Sequence, residues 1–181
     1  MALVPVPEIL HAEGLVIRRV RVSDLDTIHD AVLRNRDYLV PWVGAWIHRE
    51  PVSREERRFE INRWIEGYEA NQAPALLIEE EGQFVGMVGL HDRNGPRDVE
   101  VGYWVDQACQ RRGVATRATR ALTTLALSHP DVERVLLRHL ADNQPSRRIP
   151  EKLGFTLING AERHDGRLFV LWAMTRTTAP S

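Results

Sequence analysis

The stretch VGYWVDQACQRRGVATRA at residues 101–118 constrains this chain most, because it turns a β-strand into a helix across a glycine. Residues 99–105 are an apolar, β-rich run and predict a strand. Residues 114–128 predict a helix that Pro130 stops. The connection between them is tight, and the helix is expected to begin around Arg112 or Gly113. The first N–H groups of a helix have no internal partner. Residues Arg111 to Thr116 can therefore donate several hydrogen bonds to a diphosphate. Gly113 removes the Cβ that would block close approach. The helix dipole adds about 0.3–1 kcal/mol per exposed anionic contact, and Arg111 and Arg112 can add charge. A plainer reading fits the same residues, in which Gly113 only eases a turn and the arginines sit in solvent. No Lys-Ser/Thr follows the glycine and no G-x-G-x-x-G is present, which disfavours a nucleoside triphosphate or NAD.

Around this stretch, the 181 residues suffice for one domain with a sizeable core and are too few for two. One domain over 1–181 is expected, with an extended lead at 1–12 marked by Pro5 and Pro7 and a frayed tail at 177–181. Strands are expected at 14–20, 75–78, 84–90, 99–105, 132–140, 155–158 and 168–174. The turns between them include a hairpin at Glu81-Gly82-Gln83, a second at Asn94-Gly95-Pro96 and a third over 160–166. Ser23 with Asp26, and Ser53 with Glu56, are helix-start signatures. The first helix should reach about Arg36. The second should end near Asn71, with Phe59, Ile61, Trp64, Ile65 and Tyr68 on one apolar face. A short helix is expected over 143–153. The class is α+β: a mixed, mostly antiparallel sheet of about seven strands flanked by about four helices.

Bulk properties exclude several functions. Lys plus Arg number 24 against 25 for Asp plus Glu, so no global field draws in nucleic acid or an anionic membrane. The single cysteine, Cys109, permits no internal disulfide and suits a reducing cytoplasm. The seven histidines form no ligand-spaced set with carboxylates, so no metal is expected. No apolar run is long enough to span a membrane, and MALVPVPEIL lacks the layout of a signal peptide. A soluble cytoplasmic protein is the expectation.

The segment Q-R-R-G-V-A at 110–115 matches the Q/R-x-x-G-x-G/A signature, and VEVGYWVDQACQRRGVATRATRAL followed by DNQPSRRIPEKLGF resembles the GNAT acetyltransferases of the RimJ/RimL type, which acetylate ribosomal-protein N-termini. NRDYLVPWVGAW resembles the early tryptophan-containing stretch of that branch. The resemblance spans roughly residues 14–175. It implies the GNAT fold, acetyl-CoA as donor, direct transfer to an amine and a homodimer. It also implies that the backbone of Tyr103, Trp104 and Val105 pairs with the pantetheine arm. Gln110, Arg111, Arg112, Gly113, Val114, Ala115 and Thr116 would wrap the pyrophosphate. Asn143 would lie near the pantetheine, and Ser146 near the thioester sulfur, where it protonates or hydrogen-bonds the leaving thiolate. Alternatively, Asn143 is a helix cap and Ser146 solvates the first turn. The sequence departs from the wider family at Pro150, where many members carry a tyrosine. Proline has no hydroxyl, and it leaves the carbonyl of Ser146 without its helical donor.

On the amine side, an α-amino group of pKa about 7.7–8.0 costs roughly 1 kcal/mol to deprotonate at pH 7, against roughly 4.6 for lysine. Glu100 is the candidate base, on the strand bordering the cradle and at a position often acidic in the branch. Its rival role is an ion pair with Arg97 or Arg112. Glu162 and Asp165 are looser substrate-side candidates. His139 at a strand end more often serves a hydrogen bond than a proton relay, and nothing beside Cys109 in the sequence identifies a base for covalent catalysis. Trp42, Trp46, Trp64 and Tyr68 could border an acceptor cleft, with core packing the default for the last two. Three functions stay open at this point: acetylation of a polypeptide α-amine, acetylation of a small amine, and a regulatory acyl-CoA binder without turnover.

Overall fold

The computed structural model describes residues 4–42, 52–92, 95, 97–164 and 166–177. Among these, eight strands form one sheet: β1 (Ile9–Ala12), β2 (Leu15–Arg19), β3 (Ala75–Glu80), β4 (Gln83–His91), β5 (Asp98–Val105), β6 (Arg134–Leu140), β7 (Thr156–His164) and β8 (Arg167–Thr175). Four α-helices accompany them: α1 (Leu25–Leu39), α2 (Arg54–Glu69), α3 (Val114–Ser128) and α4 (Gln144–Leu153). The strand order is β1-β2-β3-β4-β5-β6-β8-β7. Every neighbouring pair is antiparallel except β5 with β6. This is the expected mixed α+β sheet, with one strand more.

Alternation along the strands builds two cores. On β3, Leu76 and Ile78 join the core that holds Leu122 of α3 and Leu153 of α4. Ala75 and Leu77 join the other, with Ile28 of α1 and Ile61 of α2. The helix pairs thus occupy opposite faces of the sheet, and each fully buried Leu or Ile contributes about 1.5–3 kcal/mol. A bulge interrupts this pattern on β4: Ile78 pairs with Gly86 and Glu79 with Phe84, leaving Val85 as the extra residue. Val85 consequently lies in the α3/α4 core while Phe84 and Met87 belong to the α1/α2 side. Beside the bulge, a Cβ on Gly86 would sit 2.4 Å from the Trp104 carbonyl oxygen. Only glycine lets β4 and β5 run this close.

Several expectations are corrected. The lead is not unpaired, since Ile9–Ala12 pairs with Leu15–Arg18 in a hairpin. Its turn places Glu13 and Gly14 in the left-handed region at φ 48° and 83°, the pairing that matches strand twist. Val4 and Val6 are buried in the α3/α4 core. Helix α1 starts not from Ser23 but after a 3-10 turn, Val22–Asp24, in which Asp24 accepts the Arg21 N–H at 2.7 Å. Ser53 and Glu56 do form the capping box of α2. Phe59, however, is 66% exposed and not on the buried face, whereas Arg57 is 1% exposed. Strand β7 extends through 164, so no turn occupies residues 160–164. Its register shifts twice against β8, at Leu157/Asn159 and at Asn159/Glu162, which breaks the period-two pattern that sequence reading relies on. Of the turn 94–96 only Gly95 is described; Trp46, Asp165 and the tail beyond 177 lie outside the described residues.

Candidate functional site

The parallel partners β5 and β6 pair at only three positions: Asp98↔Arg134, Val99↔Val135 and Glu100↔Leu136. Beyond Glu100, β5 continues on β4 as far as Val105↔Gly86, while β6 follows β8 as far as Leu140↔Phe169. The two strands therefore part, and the β6-side backbone edge of residues 101–105 has no strand partner. An extended ligand can complete such an edge with main-chain hydrogen bonds. Tyr103 and Val105 pack toward the α3/α4 core and Trp104 toward the α1/α2 core, where its ring meets Phe84 at 5.6 Å.

At the open end of β5 the main chain divides sharply into satisfied and unsatisfied donors. The Asp106 N–H bonds the Val85 carbonyl at 2.9 Å, and Cys109 N–H bonds Asp106 O at 2.8 Å. The Gln107 N–H donates to Asn35 Oδ1 at 2.7 Å and Ala108 N–H to Asp106 Oδ1 at 3.0 Å. Arg34 of α1 donates to Asp106 Oδ2 through Nε at 2.8 Å and Nη2 at 2.5 Å. From Arg111 onward this changes. No acceptor among the described residues takes the N–H of Arg111, Arg112 or Gly113, and Val114, Ala115 and Thr116 form the first turn of α3, whose first internal bond is Arg117 N–H to Gly113 O at 3.0 Å. Six consecutive N–H groups at this helix N-terminus thus have no acceptor among the described residues. Left-handed backbone at Arg111 (φ 61°) and at the N-cap Gly113 (φ 78°) shapes the turn.

The arginines divide their roles. Arg112 and Arg117 both pair with Glu80, Arg117 at 2.6 Å. Arg117 also donates to the Glu13 carbonyl at 2.7 Å, and Arg120 pairs with Glu13 at 2.5 Å. These contacts fasten the start of α3 to the β1–β2 and β3–β4 turns. The charge of Arg112 is compensated, so of the two expected arginines only exposed Arg111 is without a counter-ion among the described residues.

Across the cleft, Asn143 caps α4 by accepting the Ser146 N–H at 3.1 Å. Ser146 does more than solvate the helix: its Oγ lies 2.7 Å from the Tyr103 hydroxyl. Desolvation by burial pushes the Tyr103 phenol up to about 12, against the opposing pull of the Ser146 contact. Glu100 sits at the point where β5 and β6 part, 4% exposed. Its ion-pair partner is Arg138 at 3.4 Å and not Arg97 or Arg112, which pair with Glu133 and Glu80. His139 is buried; its Nε2 accepts from Trp172 Nε1 at 2.9 Å and its Nδ1–H donates to the Leu140 carbonyl at 2.8 Å. Burial lowers its pKa, which makes it a neutral structural side chain. Tyr68 donates to the Val6 carbonyl at 2.7 Å, a core role. Cys109 has the Arg112 guanidinium 4.0 Å from its sulfur. The Pro41 carbonyl accepts from Arg167, which brings the segment after α1, with half-buried Trp42, beside the β7–β8 turn.

Sequence reading placed Glu100, Tyr103, Trp104, Val105, residues 110–116, Asn143 and Ser146 in one site; the fold sets the first four on β5 and 110–116 at the turn into α3, and joins β5 to the start of α4 through Tyr103 and Ser146. It missed Arg34, Asn35 and Asp106, as well as the Tyr103 side chain. Only Asp106, at the strand end before a turn, carried a local signal.

The chain is similar to known proteins in sequence and in fold. The family model described as an acetyltransferase (GNAT) domain matches residues 14–156. YdaF of Bacillus subtilis (strain 168), whose name proposes a ribosomal N-acetyltransferase, is 29% identical over 151 residues, covering 79% of this chain and 78% of that one. The ribosomal-protein-serine acetyltransferase of Escherichia coli (strain K12) is 22% identical over 148 residues, 81% of each chain. Among solved structures, RimL, a ribosomal L7/L12 alpha-N-protein acetyltransferase in complex with coenzyme A, superposes with a TM-score of 0.82 at 24% identity, covering 93% of this chain and 98% of that one. At that identity the superposition speaks to the fold.

Proposed function

We propose that this chain, which belongs to the GNAT acetyltransferase family, carries an acetyl group from acetyl-CoA to the α-amino group of a polypeptide. Acetyl-CoA-dependent N-acetyl transfer is the chemistry of the family and of this chain; the acceptor and the residue roles are the proposal. The observation that carries it is the parting of β5 and β6 after Glu100↔Leu136, with free N–H groups at one end and the Ser146 hydroxyl across it. These residues fit the cosubstrate. The unpaired edge of Tyr103, Trp104 and Val105 suits the amides of a pantetheine arm. The donors of residues 111–116 suit a pyrophosphate, to which Gln110 at the turn is an added side-chain contact.

Acetyl-CoA supplies an acyl carbon activated as a thioester, whose sulfur takes the electron pair of the C–S bond as an amine nitrogen forms the C–N bond. Ser146 places an O–H where that sulfur can be hydrogen-bonded, with Asn143 fixing its backbone. Glu100 takes the ammonium proton, directly or through water. It is ion-paired and almost fully buried, so the acceptor it suits carries a substantial neutral fraction at working pH. An α-amine of pKa about 7.7–8.0 meets that condition and a lysine of about 10.4 does not. The names of the two curated relatives point the same way, toward a ribosomal or other protein N-terminus. A cytoplasmic location and a homodimer belong to the same reading; β7 lies at the sheet edge with Leu157 and Ile158 exposed, a rim that a second copy can cover.

The test is an acceptor screen read by CoA release. Peptides with a free N-terminus should turn over, and the same peptides blocked at the N-terminus but carrying lysine should not. Turnover confined to small amines would replace the protein acceptor by a small-molecule one, and binding of acetyl-CoA without turnover on any amine would leave a non-catalytic module.

A further inference from the structure

Pro150 lies inside α4, four residues after Ser146. A proline has no N–H, and its ring pushes against the carbonyl one turn back. The carbonyl of Ser146 therefore loses its helical donor, and the hydroxyl of Tyr103 stands 3.5 Å from it. The same phenolic oxygen is 2.7 Å from Ser146 Oγ. One side chain on β5 thus addresses both oxygens of a residue at the start of α4, across the cleft between β5 and β6.

A serine hydroxyl has one proton and two lone pairs. Left to itself, it rotates and bonds whatever acceptor is nearest, which in the first turn of a helix is usually main chain or water. The phenol changes this. Either oxygen can donate in the 2.7 Å contact; with the phenol as donor, a lone pair of Oγ is occupied and the serine proton is left to point elsewhere. Burial holds the phenol well above its ordinary pKa, pushed up to about 12, so it keeps its proton, and can donate, throughout the working range. The Ser146 N–H is meanwhile fixed by Asn143 Oδ1 at 3.1 Å. Both the backbone and the hydroxyl of Ser146 are therefore held.

We infer that Tyr103 is the positioning residue for Ser146, orienting its hydroxyl as a hydrogen-bond donor toward the leaving sulfur. The inference rests on the reading of Ser146 as that donor, and the experiment separates the two. Tyr103→Phe removes the hydroxyl and keeps the ring. It should lower kcat roughly tenfold, the scale of one hydrogen bond near 1.4 kcal/mol, and leave the KM for acetyl-CoA and the calorimetric Kd for CoA within about twofold. Ser146→Ala should lower kcat roughly a hundredfold. The double variant should match Ser146→Ala within about twofold, because the phenol acts only through the serine.

Unchanged kcat in Tyr103→Phe, or losses that multiply in the double variant, would overturn the role of Tyr103 while leaving that of Ser146 intact. Full activity of Ser146→Ala would remove the underlying reading instead. A tenfold or greater loss of CoA affinity in Tyr103→Phe would assign the hydroxyl to binding and also overturn the inference. Should Tyr103→Phe fail to fold, a fluorinated tyrosine introduced at position 103 keeps the shape and acidifies the phenol. It should move the alkaline fall of kcat to lower pH, and an unmoved limb contradicts the proposal.

Discussion

Arg34 of α1 grips the Asp106 carboxylate with Nε at 2.8 Å and Nη2 at 2.5 Å, at the point where β5 ends and the donor-rich turn begins. Asn35, the next residue, is 1% exposed and accepts the Gln107 N–H at 2.7 Å. A helix on one face of the sheet thereby sets the path of the loop that leads into α3. Removing the carboxylate leaves the Ala108 N–H and the guanidinium without their acceptor. Asp106→Ala should cost about 1–3 kcal/mol of stability and weaken CoA binding about tenfold, through the path of the loop alone. Calorimetry with the folded variant checks this, and an unchanged Kd would detach the loop's path from binding.

Gly113 and Gly86 should respond differently to alanine. At Gly113 the nearest atom to a new Cβ is 4.0 Å away, in the Arg117 side chain, and the cost lies in φ 78°. Gly113→Ala should lose about 1–2 kcal/mol and some CoA affinity, because the turn relaxes. At Gly86 the new Cβ meets the Trp104 carbonyl oxygen at 2.4 Å, which is backbone and cannot swing aside. Gly86→Ala should lose about 2–4 kcal/mol by forcing β4 from β5. Denaturant midpoints decide; equal losses would refute the distinction between strain and clash.

His139 should make the fold acid-sensitive. Its pKa is lowered in the folded state, chiefly by burial, and protonating Nε2 would break the bond from Trp172. As pH falls through about 6.5, the unfolded chain takes up the proton first. The stability present above that pH is therefore lost on the way down to the folded pKa. Denaturation at pH 8 and pH 5.5 should show a larger drop for the wild type than for His139→Gln, whose side-chain oxygen can still accept from Trp172. Equal drops would contradict the assignment.

The parts of this fold visible in the sequence were those decided locally. Helix α3 spans Val114–Ser128, as glycine and proline punctuation implied, and the Ser53–Glu56 capping box starts α2. The strands flanking the cleft were equally plain, because buried β-rich runs leave few other readings. What stayed hidden depends on partners far along the chain. Strand β1, only four residues long, is too short to announce itself and exists by pairing with β2. Strand β7 hides its length behind two register shifts. Within the site, Tyr103 and Ser146 are 43 positions apart, and Arg34 and Asp106 are 72 apart. No spacing rule connects such residues; the chain must fold to bring them together. The motif at 110–116 was legible for the opposite reason, since the glycine turn and helix start that shape it are contiguous in the chain.

The most direct measurement is amide NMR of the ¹⁵N-labelled protein titrated with coenzyme A. The largest shifts should fall on the amides of residues 111–116 and on the open edge of residues 101–105, while those of Gln107 and Ala108, already bonded to Asn35 and Asp106, change least within the loop. Saturating coenzyme A that leaves residues 111–116 unmoved, or that perturbs another surface in their place, would contradict the proposed site.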